Sequence, residues 1–214
     1  MNDRSDSGVA IPNLRSRIRE ATAAAILEAA EQVFADHGLH GAHMNDIGAR
    51  AGVAVGTLYN HFKDRDALLA GLLDQRAGEV LGEMDRVIAE EARADFRERL
   101  TTLLRTMFTY FAAHRPFFTI FQQAESADLR ALYPVAGKKV PELGLEVYGR
   151  LEKLMKSGVR GKALRPEGAE LYTALIMSML RVNKIRERCS SAGAGGPAIT
   201  PEQLVRVFLD GAGA

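Results

Sequence analysis

This 214-residue sequence predicts an all-α fold of about nine helices. Three observations predict it. Apolar residues recur at three- and four-residue spacing in nearly every segment, glycine and proline stand where those segments stop and start, and no stretch alternates apolar with polar residues as a half-buried strand does. No internal repeat appears. At 47% hydrophobic and 26% charged residues the composition is that of an ordinary globular protein.

The first helix is expected over Arg15 to Asp36, with Ile26, Ala30, Val33 and Phe34 on one stripe and His37-Gly38 closing it. Two short helices follow between Met44 and Phe62. Ile47, Ala51 and Val53 supply the apolar face of the first of these and its turn. Gly52 stands where that helix should end, because glycine takes the left-handed terminal conformation at no steric cost. Leu58 and Phe62, four apart, give the second short helix a buried face. Val55, Gly56, Thr57, Tyr59, Asn60 and His61 are then left mostly outward on an element small enough to enter a DNA major groove. This is a helix-turn-helix.

Asp64 is the expected N-cap of a long fourth helix whose apolar positions, from Leu69 through Val80 and Met84 to Ile88, keep helical spacing. Such a helix would bridge the small N-terminal unit to whatever follows. Asp95-Phe-Arg-Glu98 has capping-box spacing and opens a fifth helix running to His114. Pro116 opens a short sixth helix through Gln123. Tyr133 to Pro141, with two prolines and a glycine, is expected to be a loop, and the seventh helix to cover Glu142 to Ser157. Pro166 should open an eighth helix extending past Ile185, and Ser190 to Ala198 should be a Gly/Ala/Ser loop. Thr200-Pro201-Glu202-Gln203 is a strong start signal for a ninth helix, which carries Leu204, Val207 and Phe208 and ends at Gly211.

Asp46-Ile47, then Ala51-Gly52-Val53, then Gly56-Thr57-Leu58-Tyr59-Asn60-His61-Phe62-Lys63 resembles the signature of the TetR family of ligand-responsive transcriptional repressors, without a gap from about residue 17 to 76. The resemblance implies that Thr57, Tyr59, His61 and Lys63 face DNA. Asn45, Val55, Gly56 and Asn60 join them as residues that read or approach bases: Asn45 suits adenine, and Val55 can offer only an apolar touch such as a thymine methyl. It implies a DNA-binding domain over residues 16–76 and a helical effector-binding and dimerisation domain over residues 77–214. Four positions depart from the family's pattern, among them Asn45, where some members place a base-reading arginine. His43 and Ala54 stand where hydroxyl residues commonly cap the two short helices, and Gly48 replaces a more usual alanine at a cost to its helix of about 1 kcal/mol.

The same resemblance implies a homodimer through the two C-terminal helices, where Leu171, Leu175, Met179 and Val182 and then Leu204, Val205, Phe208 and Leu209 supply apolar surface. A two-fold dimer would present two reading helices to a roughly palindromic double-stranded operator. Aromatic residues and methionines of the fifth to eighth helices suggest a mostly apolar effector cavity, with Phe111, Phe121 and Tyr148 as candidates. The same residues read equally as plain core. The effector would be a small hydrophobic or amphipathic compound. A helix-turn-helix regulator without a small ligand and a helical interaction module are the alternatives.

Charge adds no general nucleic-acid signal: the chain carries a net +1, and residues 1–70 hold seven Lys/Arg against nine Asp/Glu. Placement matters more, since Arg15, Arg17 and Arg19 precede the core of the first helix and Lys63 and Arg65 follow the reading helix. His37, His40 and His43 invite a metal reading, but Gly38 and Gly41 interrupt them and no acid or cysteine completes a set, so no metal is expected. No nucleophile elbow, phosphate loop or zinc-protease motif is present, so neither catalysis nor a cofactor is expected. The lone Cys189, the polar segment Met1 to Asn13 and the lack of a long apolar run give a cytoplasmic expectation with no membrane association.

Overall fold

The computed structural model describes residues 13–90, 95–124, 134–191 and 199–212. Among these residues nine helices form: α1 Leu14–Gly41, α2 Met44–Ala51, α3 Val55–His61, α4 Arg65–Glu90, α5 Phe96–Ala113, α6 Arg115–Ala124, α7 Pro134–Arg160, α8 Ala169–Ser191 and α9 Pro201–Ala212. The chain divides into two compact units, Met1–Leu72 and Leu73–Ala214, with α4 common to both. Among the described residues no helix is long and apolar enough to cross a membrane.

In the first unit α1 packs on α2 and α2 on α3. Ile26, Ala30, Val33 and Phe34, the stripe expected of α1, are buried together with Ile47, Leu58 and Leu69. Gly38 breaks the helical backbone at φ 71° and ψ 170°, where the stop was expected, but one further turn carries α1 on to Gly41. Asn13 caps α1 by accepting from the Ser16 N–H at 2.9 Å, and Asp64 caps α4 by accepting from the Ala67 N–H at 2.7 Å.

In the second unit α7 lies along α8, α9 on α5 and α6 on α7. Asp95 accepts from the Glu98 N–H at 2.7 Å. Thr200 and Gln203 make the full reciprocal box at the start of α9, the hydroxyl accepting from the Gln203 N–H at 3.2 Å while the Gln203 amide oxygen accepts from the Thr200 N–H at 2.9 Å.

Two expectations fail here. The segment Pro134 to Pro141 is not a loop but the first two turns of α7, with Pro141 inside the helix (Tyr133 lies outside the described residues). Pro134 occupies the first turn, where the missing N–H has no partner to lose. The buried series Ala136, Val140, Leu143, Val147, Leu151 and Leu154 runs straight through the exposed Pro141, so continuous packing outweighs the one lost hydrogen bond. Pro166 does not open α8 either. It sits in a turn, and α8 begins at Ala169 after Gly168, whose φ of 116° suits glycine alone. Ser190 and Ser191 are the last residues of α8, and the rest of the expected 190–198 loop lies outside the described residues.

A polar strip ties α4 to its neighbours within the second unit. Tyr110 reaches from α5 so that its hydroxyl lies 3.0 Å from both the Arg76 carbonyl and Glu79 Oε2. Arg76, itself buried, donates to both oxygens of Glu79 at 3.0 and 2.8 Å, and Gln75 donates to Glu79 at 2.9 Å. Burial opposes the charge on Glu79, yet those three hydrogen bonds and the Arg76 guanidinium hold its carboxyl below the usual carboxylate value. Ion pairs Asp74–Lys139 and Asp85–Arg150 join α4 to α7, the latter bidentate at 2.9 Å for each bond. The pairs are eleven residues apart on both helices, so these segments run in the same direction and present one face to each other over three turns.

Candidate nucleic-acid interface

The turn between α2 and α3 is closed from the backbone. Gly52 takes the left-handed conformation, φ 68° and ψ 26°, its N–H bonds the Ala49 carbonyl at 3.2 Å, and the Val53 N–H bonds the Gly48 carbonyl at 3.0 Å. Neither His43 nor Ala54 makes a side-chain cap, as their identities require, so the first N–H groups of α2 and α3 turn on backbone carbonyls of those same residues. Leu58 is completely buried and Phe62 half-buried, which fixes the inner face of α3.

The opposite face lies open. Gly56, Asn60 and Lys63 are exposed, Tyr59 is 49% exposed, and Asn45 on α2 is exposed as well. Val55, Thr57 and His61 are half-buried. Val55 is therefore not simply outward: its Cγ2 lies 3.5 Å from where a Cβ on Gly48 would be, so one methyl is directed onto α2. His61 and Phe62 have ring centroids 6.4 Å apart. Arg15, Arg17 and Arg19 are exposed on α1, which buries nothing before Ile26. Arg50 pairs with Asp36 at 3.1 Å, and Arg65 donates to the His40 carbonyl at 3.3 Å, so these two guanidiniums tie α2 and α4 to α1. The sequence reading did not single out Arg50. Its partner lies fourteen residues away on another helix, beyond any spacing rule.

What this surface can do follows from its chemistry. A seven-residue helix with its hydrophobic side pinned presents an amide, a phenol, a hydroxyl and an imidazole, and the turn after it adds the Lys63 ammonium; these are donors and acceptors that meet base edges and phosphates.

Residues 26–72, the stretch that builds this surface, match the family model described as bacterial regulatory proteins, tetR family. Over that stretch the chain is similar to the TetR family. Among the chain's relatives, the fatty acid metabolism regulator protein of Bacillus subtilis is 26% identical over 149 residues, covering 70% of this chain and 73% of that one. An HTH-type transcriptional repressor of Mycobacterium tuberculosis is 40% identical over 82 residues, but these make up only 38% of this chain and 41% of the repressor. The same architecture appears in the crystal structure of the transcriptional regulator FadR from Bacillus subtilis in complex with stearoyl-CoA, with a TM-score of 0.69 at 20% identity over 87% of this chain and 95% of that one. The relatives named are transcriptional regulators.

The effector candidates fall in two places. Phe111 packs on Phe118 at 4.5 Å between centroids, and Phe118 stacks on Phe121 at 5.9 Å, so α5 and α6 share an aromatic cluster that Phe117 completes. Tyr148 stands apart in its bonding, donating to the Glu170 carbonyl in the first turn of α8 at 3.3 Å. Glu170 also lines an open groove of about 650 Å³ between the end of α7 and the start of α8, with Val159, Arg160 and Leu171.

Proposed function

We propose that this protein is a ligand-responsive transcriptional repressor that binds a palindromic operator as a homodimer and releases it when a small hydrophobic or amphipathic effector binds. The observation that carries the reading is the open polar face of α3, held by a fully buried Leu58 within the segment that matches the family. On this reading residues 16–76 bind DNA: Thr57 and Tyr59 set α3 against backbone and base edges, His61 and Lys63 anchor phosphates, and Asn45, Val55, Gly56 and Asn60 read or approach bases. Residues 77–214 take the effector and the second subunit. Exposed Leu171 and Leu175 on α8 and Val207 on α9, at 51%, 44% and 61%, support a dimer through the two last helices, since apolar groups of this size in neighbouring elements suit a covered face.

For the effector, the fatty acid regulator relative and the stearoyl-CoA complex of a similar fold make long-chain acyl-CoA thioesters the first class to test. The cluster of Phe111, Phe118 and Phe121 would meet the acyl chain, with Tyr148 as a further candidate. The α4 helix belongs to both units, so a ligand that binds one position of α4 better than another shifts the population of DNA-competent dimers by that difference in affinity. Titrating stearoyl-CoA and, separately, free coenzyme A into a complex of the protein with a selected duplex tests the effector. Release by the thioester alone supports the reading. Undisturbed binding throughout a panel of acyl chains would leave a regulator without this class of ligand.

A further inference from the structure

The reading helix α3 has hydrophobic contacts at both of its ends, and each end is seated against a glycine. At the start, a Cβ placed on Gly48 would lie 3.3 Å from the Val53 carbonyl oxygen and 3.5 Å from Val55 Cγ2, tighter than most side chains tolerate against backbone. At the finish, a Cβ placed on Gly71 would lie 2.9 Å from Phe62 Cε1, closer than real side chains approach, and 3.5 Å from Leu27 Cδ2. Gly71 is in the interior of α4, and Phe62 is the C-cap of α3, its N–H bonded to the Leu58 carbonyl at 2.9 Å. Glycine in a helix interior weakens that helix relative to alanine. Neither position needs a positive φ, so backbone conformation does not explain either residue.

We infer that Gly71 is a positioning residue for DNA reading: the space of its missing side chain receives the Phe62 ring and thereby sets the pose of α3, with Gly48 doing the same for the Val55 end. The inference rests on the proposal that α3 reads DNA. It adds where α4 grips that helix. His61 and Lys63 flank Phe62 in the chain, so a displaced ring carries both of these DNA-facing candidates with it. A Cβ at 2.9 Å from the ring edge forces the half-buried Phe62 ring to shift, since carbon atoms do not sit that close. Leucine at position 62 would lack the Cε1 atom, leaving a counterpart of Cδ1, which stands at an ordinary 3.7 Å from the added Cβ.

The test compares wild type, Gly71→Ala and Gly71→Ala/Phe62→Leu on one selected duplex, alongside their thermal unfolding. Expected is a loss of about tenfold or more in affinity for Gly71→Ala at an unfolding temperature close to that of wild type, the helix gain from alanine offsetting part of the crowding, and recovery of most of the affinity in the double variant. A plain stability role would not separate the two readouts, since alanine favours the helix. Wild-type affinity for Gly71→Ala, or a loss that the double variant does not restore, overturns the inference. Should Gly71→Ala fail to fold, Phe62→Leu alone decides: it should weaken duplex binding, and undiminished binding overturns the seat. If wild type itself binds no duplex, the DNA-reading proposal fails and not the seat.

Discussion

The α2–α3 face of the first unit and the strip joining α4, α5 and α7 in the second use their polar groups in opposite ways. In the first, Asn45, Tyr59, Asn60 and Lys63 are exposed on α2, α3 and the turn that follows, and the buried residues beneath them, Ile47 and Leu58, are apolar. In the second, Arg76, Glu79 and Tyr110 turn inward and satisfy one another, while Asp74, Asp85, Lys139 and Arg150 bridge α4 and α7. Polar side chains left open are available to a partner. Those engaged internally hold helices in register. On the proposed reading, the open groups of the first unit meet the DNA, and the internal ties of the second are what a ligand would favour or oppose.

The largest effect should come from removing the apolar support of the open face. Leu58→Ala leaves a cavity at a fully buried site and should destabilise the protein by about 3 kcal/mol in denaturant unfolding. A loss below about 1 kcal/mol would mean that α3 is not seated as described. Tyr59→Ala should then separate function from folding. With the side chain 49% exposed, stability should stay within about 0.5 kcal/mol, while operator affinity falls at least tenfold, about 1.4 kcal/mol. Titration calorimetry with the selected duplex checks it, and normal affinity would misplace the reading face.

In the second unit, Tyr110→Phe removes one hydrogen bond to Glu79 and should cost about 1 kcal/mol at neutral pH. The sign with pH follows from the lowered folded pKa of Glu79. Its contribution is complete above the ordinary carboxylate value of 4.5 and is lost as pH falls from there through the lowered value. The variant's deficit should therefore shrink below pH 4.5, which unfolding measured at several pH values will show. Smallest is Arg150→Ala, whose ion pairs lie at an accessible surface: at most about 1 kcal/mol, reduced further by salt.

How much could be read in the sequence divides along the same line. The α3 helix and its buried side were legible because their chemistry is local: Gly52, Leu58 and Phe62 at fixed spacing determine which side of a seven-residue helix faces outward. Caps were legible for the same reason, at Asp64, Asp95 and Thr200. Pro134 and Pro141 misled because local chemistry was outvoted by a buried stripe that starts at Ala136 and lies on both sides of Pro141. Val55 was read as outward from α3 alone, whereas the glycine that turns its methyl inward lies seven residues earlier on α2. The Tyr110–Glu79 bond and the α4–α7 bridges join residues 31 and 65 apart, a separation at which no periodicity speaks. For the same reason Phe111, Phe121 and Tyr148 could be named as aromatic but not sorted: two share a cluster and the third bonds to α8.

The most direct test of the central claim is selection of duplexes from a random DNA pool by the purified protein and, in parallel, by Tyr59→Ala. The account predicts that wild type enriches an inverted repeat with half-sites about one helical turn apart, and that the variant enriches nothing. No enriched sequence for wild type at low salt, or the same repeat enriched by both proteins, would contradict it.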